Sequence, residues 1–127
     1  IETIEIPVPR PGSRFAAYKL SKRFDQDISA VVAAFHVPAV DGRTLRAAFG
    51  GMAARVGRAP ALEAAWTAGG IGGLSVAEFE TLLALDFTPL SDHRGSSGYR
   101  RRAAAGLARR FILHLQDDVT PLTLAAL

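Results

Sequence analysis

An α+β fold is predicted by a change of period along the 127-residue chain: an antiparallel sheet of three or four strands, then about three helices packed on one face. Up to Gly50 the apolar residues alternate, or run in short β-branched and aromatic blocks broken by proline and glycine. From Arg58 onward they recur every three or four positions, the helical period. The 49% hydrophobic content and mean hydropathy of +0.17 suit one packed domain spanning residues 1–127 and exclude a disordered chain.

The elements follow in order. Ile1-Glu2-Thr3-Ile4-Glu5-Ile6 alternates with period two, as a strand with one buried face does, and Pro7, Pro9, Pro11 and Gly12 end it. Phe15–Leu20 reads as a second strand. Ser29–Val37 reads as a third, so nearly apolar that both its faces are expected to be covered. Asp41-Gly42 is a hairpin signal, because a primed turn needs positive φ, and Thr44–Phe49 returns as a fourth strand. Arg58–Ala68 is helical, with Leu62, Ala65 and Trp66 on one face, and the glycine-rich run 69–73 ends it. That run lacks G-x-G-x-x-G spacing and follows no strand, so no dinucleotide loop is expected. Ser75 and Glu78 have the spacing of a capping box ahead of a helix whose core face is Phe79, Leu82, Leu83 and Leu85. After a polar loop over residues 88–98, Tyr99, Ala103, Leu107, Phe111 and Leu115 mark the longest helix. Residues 119–127 are apolar without period and are expected to fray.

The net charge of +3 is local: basic and acidic side chains cancel over residues 1–90, and the excess lies in Arg94, Arg100, Arg101, Arg102, Arg109 and Arg110. Such a run can grip phosphates, but a solvated basic helix face is its commoner meaning, so nucleic acid is not the expected partner. No apolar run approaches the ~20 residues of a membrane span, and no membrane partner is expected. The absence of cysteine suits a cytoplasmic location. Ile1 is not an initiator residue, which suggests a piece of a longer protein.

His36, His93 and His114 sit in different elements without metal-ligand spacing, so no metal site is expected. Ser91-Asp92-His93 names the members of a triad, but neighbours in sequence rarely face one another; Asp92 or Ser96 is expected to cap backbone N–H groups. No residue is assigned a catalytic role. Asp25 and Asp27 are expected to pair with Lys22 and Arg23. Lys19, beside Tyr18 near a strand end, can be held rigidly against something, and Gly50-Gly51 permits close backbone approach. The plain alternative, an edge-strand lysine and a bulge, is the one these residues favour by themselves.

A resemblance changes that balance. Tyr18-Lys19-Leu20-Ser21-Lys22-Arg23-Phe24-Asp25-Gln26-Asp27-Ile28 resembles the start of the C-terminal part of the flavin domain of molybdenum hydroxylases, the group of xanthine dehydrogenases and aerobic carbon monoxide dehydrogenase. Ile4–Pro9, Phe49-Gly50-Gly51-Met52-Ala53 and Phe87–Arg100 are similar to three further segments of that domain, in the same order, with bacterial xanthine dehydrogenase fitting best. His93 stands where an apolar residue such as methionine is expected. The resemblance implies an FAD cofactor in a longer parent, with Lys19 beside the flavin and Tyr18 and Arg23 helping to form its site. It implies as partners an upstream FAD-binding subdomain and molybdopterin and iron–sulfur domains or subunits, with electrons passing through FAD to NAD or another acceptor. The glycine-rich segments that cradle the FAD pyrophosphate have no counterpart here, so the fragment is expected to be inactive and flavin-free alone. The competing reading is a non-catalytic interaction module that uses the Arg-rich last helix to bind a protein or nucleic acid.

Overall fold

The computed structural model describes residues 1–23, 28–40, 43–69 and 71–116. Four strands, β1 (Arg14–Leu20), β2 (Val31–Val37), β3 (Arg46–Gly50) and β4 (Gly57–Arg58), form one antiparallel sheet in chain order. Three helices, α1 (Pro60–Thr67), α2 (Val76–Asp86) and α3 (Ser97–Gln116), follow it. The α+β class holds, with all three helices contributing to one core on the inner face of the sheet.

Strand alternation decides which side chains enter that core. Val31, Ala33, Phe35 and Val37 of β2 are buried, together with Ala47 and Phe49 of β3. Phe35 stacks on Phe111 of α3 at 4.7 Å between ring centroids, and Phe49 meets both Phe35 and Phe87 edge-on at 5.6 Å. Leu62 of α1, Phe79 and Leu83 of α2, and Leu107 and Ile112 of α3 complete the cluster.

Side chains satisfy backbone N–H groups near the helix N-termini. Ser75 and Glu78 form the expected capping box of α2, which holds the Glu78 carboxyl below its ordinary range. Proline at the first position of α1 has its φ preset for a helix, and the Ala61 N–H donates to Asp86 Oδ2 at 2.9 Å. Glu63, in the first turn of α1, accepts from the Ala47 N–H at 2.9 Å and takes both arms of Arg58 at 2.6 Å. One carboxylate thus joins helix to sheet.

Several expectations need correction. Ile1–Ile6 forms no strand and pairs with none of this sheet, and Ile4 and Ile6 are exposed. The Pro11-Gly12 turn uncouples it, with Gly12 at φ +86° and Ser13 N–H donating to the Arg10 carbonyl. The fourth strand is instead the short β4. Strand β2 is buried on one face only: Val32, Ala34 and His36 lie on the outer face, which is open. Leu85 and Tyr99 point to solvent, and the buried stripe of α3 includes Arg100, Ala104 and Ala108. Asp25, Asp27, the Asp41-Gly42 turn and the tail 119–127 lie outside the described residues. Among the described residues no helix is long and apolar enough to cross a membrane.

Candidate functional site

Register defines the outer face of the sheet. Its rows are Lys19–Val32–Gly50, Ala17–Ala34–Ala48 and Phe15–His36–Arg46. The middle row of this face is thus three alanines, bordered on one side by the row of Val32, Gly50 and the exposed Lys19. Tyr18 lies on the opposite face. Its ring meets Phe35 at 6.1 Å, the Arg110 guanidinium stacks over it at 4.9 Å, and its hydroxyl hydrogen-bonds His114 Nδ1 at 3.3 Å. Burial raises the Tyr18 pKa, with the Arg110 charge opposing. Arg23 is exposed, and its carbonyl accepts from Ser21 Oγ. Of the three residues expected to share a flavin site, the sheet thus separates Tyr18 from Lys19.

Beside the Lys19 row the connections converge on Arg100. Its side chain, 6% exposed, donates from one terminal nitrogen to the carbonyls of Ala30 (2.5 Å) and Gly51 (2.9 Å) and from the other to Asp92 Oδ1 (2.7 Å). Its Nε reaches the Gly95 carbonyl at 3.4 Å. Arg100 sits in the first turn of α3, and its planar fork lets one residue bind the start of β2, the end of β3 and the loop before α3. Gly51 serves the same junction: at φ +79° a Cβ would collide with the Ala30 carbonyl. Lys22 adds a strap, donating to the His93 carbonyl at 2.6 Å. The junction leaves a cleft of about 220 Å³ lined by Ile28, Ser29, Gly51, Leu90, Asp92 and Arg94.

Asp92 is the counter-ion, and it also caps the turn, accepting from the N–H groups of Arg94 (2.8 Å) and Gly95 (3.1 Å). Ser96 and Ser91 cap α3 through the N–H groups of Tyr99 and Ser97. The capping roles expected for Asp92 and Ser96 are both present. The Arg100 guanidinium, then the Arg94 N–H, lower the Asp92 carboxyl from 3.8 to about 2. A carboxyl with a depressed folded pKa stabilises fully above its unfolded pKa and loses that contribution as pH falls through the folded one. Comparing wild type with Asp92→Asn by denaturation from pH 7 to pH 2, the wild-type advantage should be constant above about pH 4 and shrink towards about pH 2.

The three imidazoles stay apart, with His36 on the outer face, His93 in the loop before α3 and His114 against Tyr18. Among the described residues no group of three or more metal-ligating side chains forms. Arginines of α3 are divided rather than pooled: Arg100 is buried, Arg110 covers Tyr18, Arg102 lies 3.8 Å from Glu80, and Arg109 faces the Gly72 carbonyl at 3.4 Å. Sequence reasoning missed the buried Arg100, counting it with the basic face. The paired signals were Gly51, noted for close approach, and Asp92, noted as a cap.

Residues 16–115 match the CO dehydrogenase flavoprotein C-terminal domain family. Among solved structures, a cyanide-inactivated Cu,Mo-CO dehydrogenase superposes with a TM-score of 0.66 at 25% identity, over 83% of this chain and 37% of that one. Quinoline 2-oxidoreductase from Pseudomonas putida 86 gives a TM-score of 0.62 at 24% identity, over 84% of this chain and 38% of that one. Carbon monoxide dehydrogenase from Hydrogenophaga pseudoflava, in a form lacking the Mo-pyranopterin moiety, gives 0.62 at 23% identity, over 83% and 37%. This chain therefore spans little more than a third of the length of the structures it resembles. No curated protein sequence gives a significant match.

Proposed function

This chain belongs to the CO dehydrogenase flavoprotein C-terminal domain family, and from that premise we propose that its open sheet face forms one wall of an FAD site in a molybdenum hydroxylase. The observation that carries the proposal is the placement of Lys19. It stands beside a row of three alanines, on the face the helices leave uncovered, next to a junction fixed by Arg100. That geometry fits a planar aromatic ring with an anionic locus at its edge. Nothing comparable among the described residues fits a pyrophosphate, which agrees with a cofactor held mainly by an upstream FAD-binding subdomain.

When bound, FAD supplies electron-transfer chemistry between iron–sulfur clusters and NAD or another acceptor, in a parent of the xanthine dehydrogenase or CO dehydrogenase kind. The chain's own residues position and tune. Ala17, Ala34 and Ala48 give a smooth surface that excludes water from one side of the ring. The Lys19 ammonium favours the reduced, anionic state by direct electrostatics. Arg23 belongs to the same connection and anchors it beside the site. Arg100, through the Ala30 and Gly51 carbonyls, keeps the ends of β2 and β3 from shifting. The parent's partners are then molybdopterin and iron–sulfur domains or subunits. The division of the basic helix face among internal partners makes an Arg-driven nucleic-acid module the weaker reading.

Lys19 and Lys22 are the chain's only lysines, which gives a direct test. Acylation of the full-length parent, read by mass spectrometry, should show Lys19 protected in the FAD-loaded protein and exposed once flavin is removed. Equal labelling of Lys19 in both states would end the proposal.

A further inference from the structure

The segment Ile1–Arg10 has the pattern of a strand without the sheet. Its even positions, Glu2, Ile4, Ile6 and Val8, form one side, on which Ile4, Ile6 and Val8 are 74%, 83% and 89% exposed. A row of three large apolar side chains left in water offsets nothing within this domain. The family match begins only at residue 16, and the structures that resemble the chain are far longer than it, so the segment lies beyond this domain's own core. The Pro11-Gly12 turn sets it apart from β1, while Ile6 to Arg10 line a cavity of about 620 Å³ with Phe15, His36 and Arg46 at a corner of the outer face.

The prolines say how the segment can pair. Pro7 and Pro9 both occupy odd positions. In a strand the N–H and C=O of one residue point to the same side, and successive residues alternate sides. Proline is tolerated on a strand when its missing N–H faces away from the ladder. Only the even residues can therefore bond a neighbouring strand along the whole segment, and the odd side must remain a free edge. The prolines are odd and the apolar row is even, so pairing through the even residues leaves both prolines on the free edge while Ile4, Ile6 and Val8 share one side of the strand.

We propose that residues 2–8 add as an edge strand to a β-sheet of the FAD-binding part of the parent, donating through Ile4, Ile6 and Val8 and burying those side chains against that partner. This rests on the proposed function for the identity of the partner. Strand addition joins two units through main-chain bonds, with side-chain pockets supplying specificity. It would hold the outer sheet face, with Lys19, at a fixed orientation to the flavin-bearing unit. The segment is thus a docking strand of the parent rather than a frayed end.

Amide-resolved hydrogen exchange tests this in the full-length parent and in the 127-residue chain. The amides of Ile4, Ile6 and Val8 should exchange at least about tenfold more slowly in the parent than in the chain alone, while those of Thr3 and Glu5 change little. Ile4→Asp with Ile6→Asp should abolish that protection and leave the unfolding midpoint of the chain alone unchanged. Fast exchange at Ile4, Ile6 and Val8 in an FAD-loaded parent would overturn the inference while the flavin reading stands. Protection of both odd and even amides would also overturn it, since the segment would lie between two strands. Concentration-dependent protection in the chain alone would assign the segment to a second copy and overturn it. Protection of the even amides in a parent that never binds flavin would support the docking strand and remove the flavin assignment.

Discussion

Arg100→Met should destabilise the chain by about 3 kcal/mol. Methionine keeps most of the apolar stem, so the loss isolates the guanidinium. Two carbonyls from separate strands lose a charged donor, and Asp92 loses the cation to which it is bonded. A hydrogen bond to a charged group contributes about 1.5–3 kcal/mol, and water reaching the partly exposed Asp92 side chain returns some of it. Arg101→Met, one residue along on the exposed side, should stay within about 0.5 kcal/mol. Chemical denaturation of the pair checks this, and similar losses in both would show that the Arg100 network adds nothing to stability.

Phe111→Ala should cost about 3–5 kcal/mol. Its ring is 2% exposed and stacks on Phe35, which also meets Phe49 and Tyr18, so the vacancy would open at the centre of the aromatic cluster. The surrounding strands are tied by ladder bonds and cannot collapse into it. Tyr99→Ala, on a side chain 48% exposed, should cost less than about 1 kcal/mol although it belongs to the same four-residue repeat. Equal losses at Tyr99 and Phe111 would mean that the inward face of α3 is assigned wrongly.

That contrast shows what could be read from the chain. A repeat of four residues overshoots a helical turn by about 40° each time, so a stripe drawn from Tyr99 to Leu115 stays true at Leu107 and Phe111 and rotates outward towards its ends. The capping box at Ser75 and Glu78 was legible because it is local, and so were β1, β2 and β3. The one-sided burial of β2 was not, since Val32 and Ala34 look like core residues until the sheet shows that no helix covers them. Alternation over Ile1–Ile6 predicts a strand that this sheet does not contain, because a period of two does not say whether a partner strand is present. Arg100 was hidden for the same reason: its partners Ala30 and Gly51 lie 70 and 49 residues away, and nothing beside it in sequence distinguishes it from Arg101. The separation of Tyr18 from Lys19 was implicit in strand alternation and needed only to be applied.

The central claim is that Lys19 tunes a flavin, and a redox titration of the full-length parent measures it most directly. A hydrogen bond to a charged group is worth about 1.5–3 kcal/mol, and for a two-electron couple about 1.4 kcal/mol corresponds to 30 mV. If the Lys19 ammonium favours the reduced, anionic flavin, Lys19→Ala should lower the FAD potential by roughly tens of millivolts and slow delivery to the final acceptor, leaving reduction of the molybdenum centre by substrate unchanged. Arg46→Ala, a cation at the far end of the same sheet face, should leave the potential where it is. A flavin potential and FAD affinity unaltered by Lys19→Ala would contradict the account and return Lys19 to the status of a charge on an edge strand.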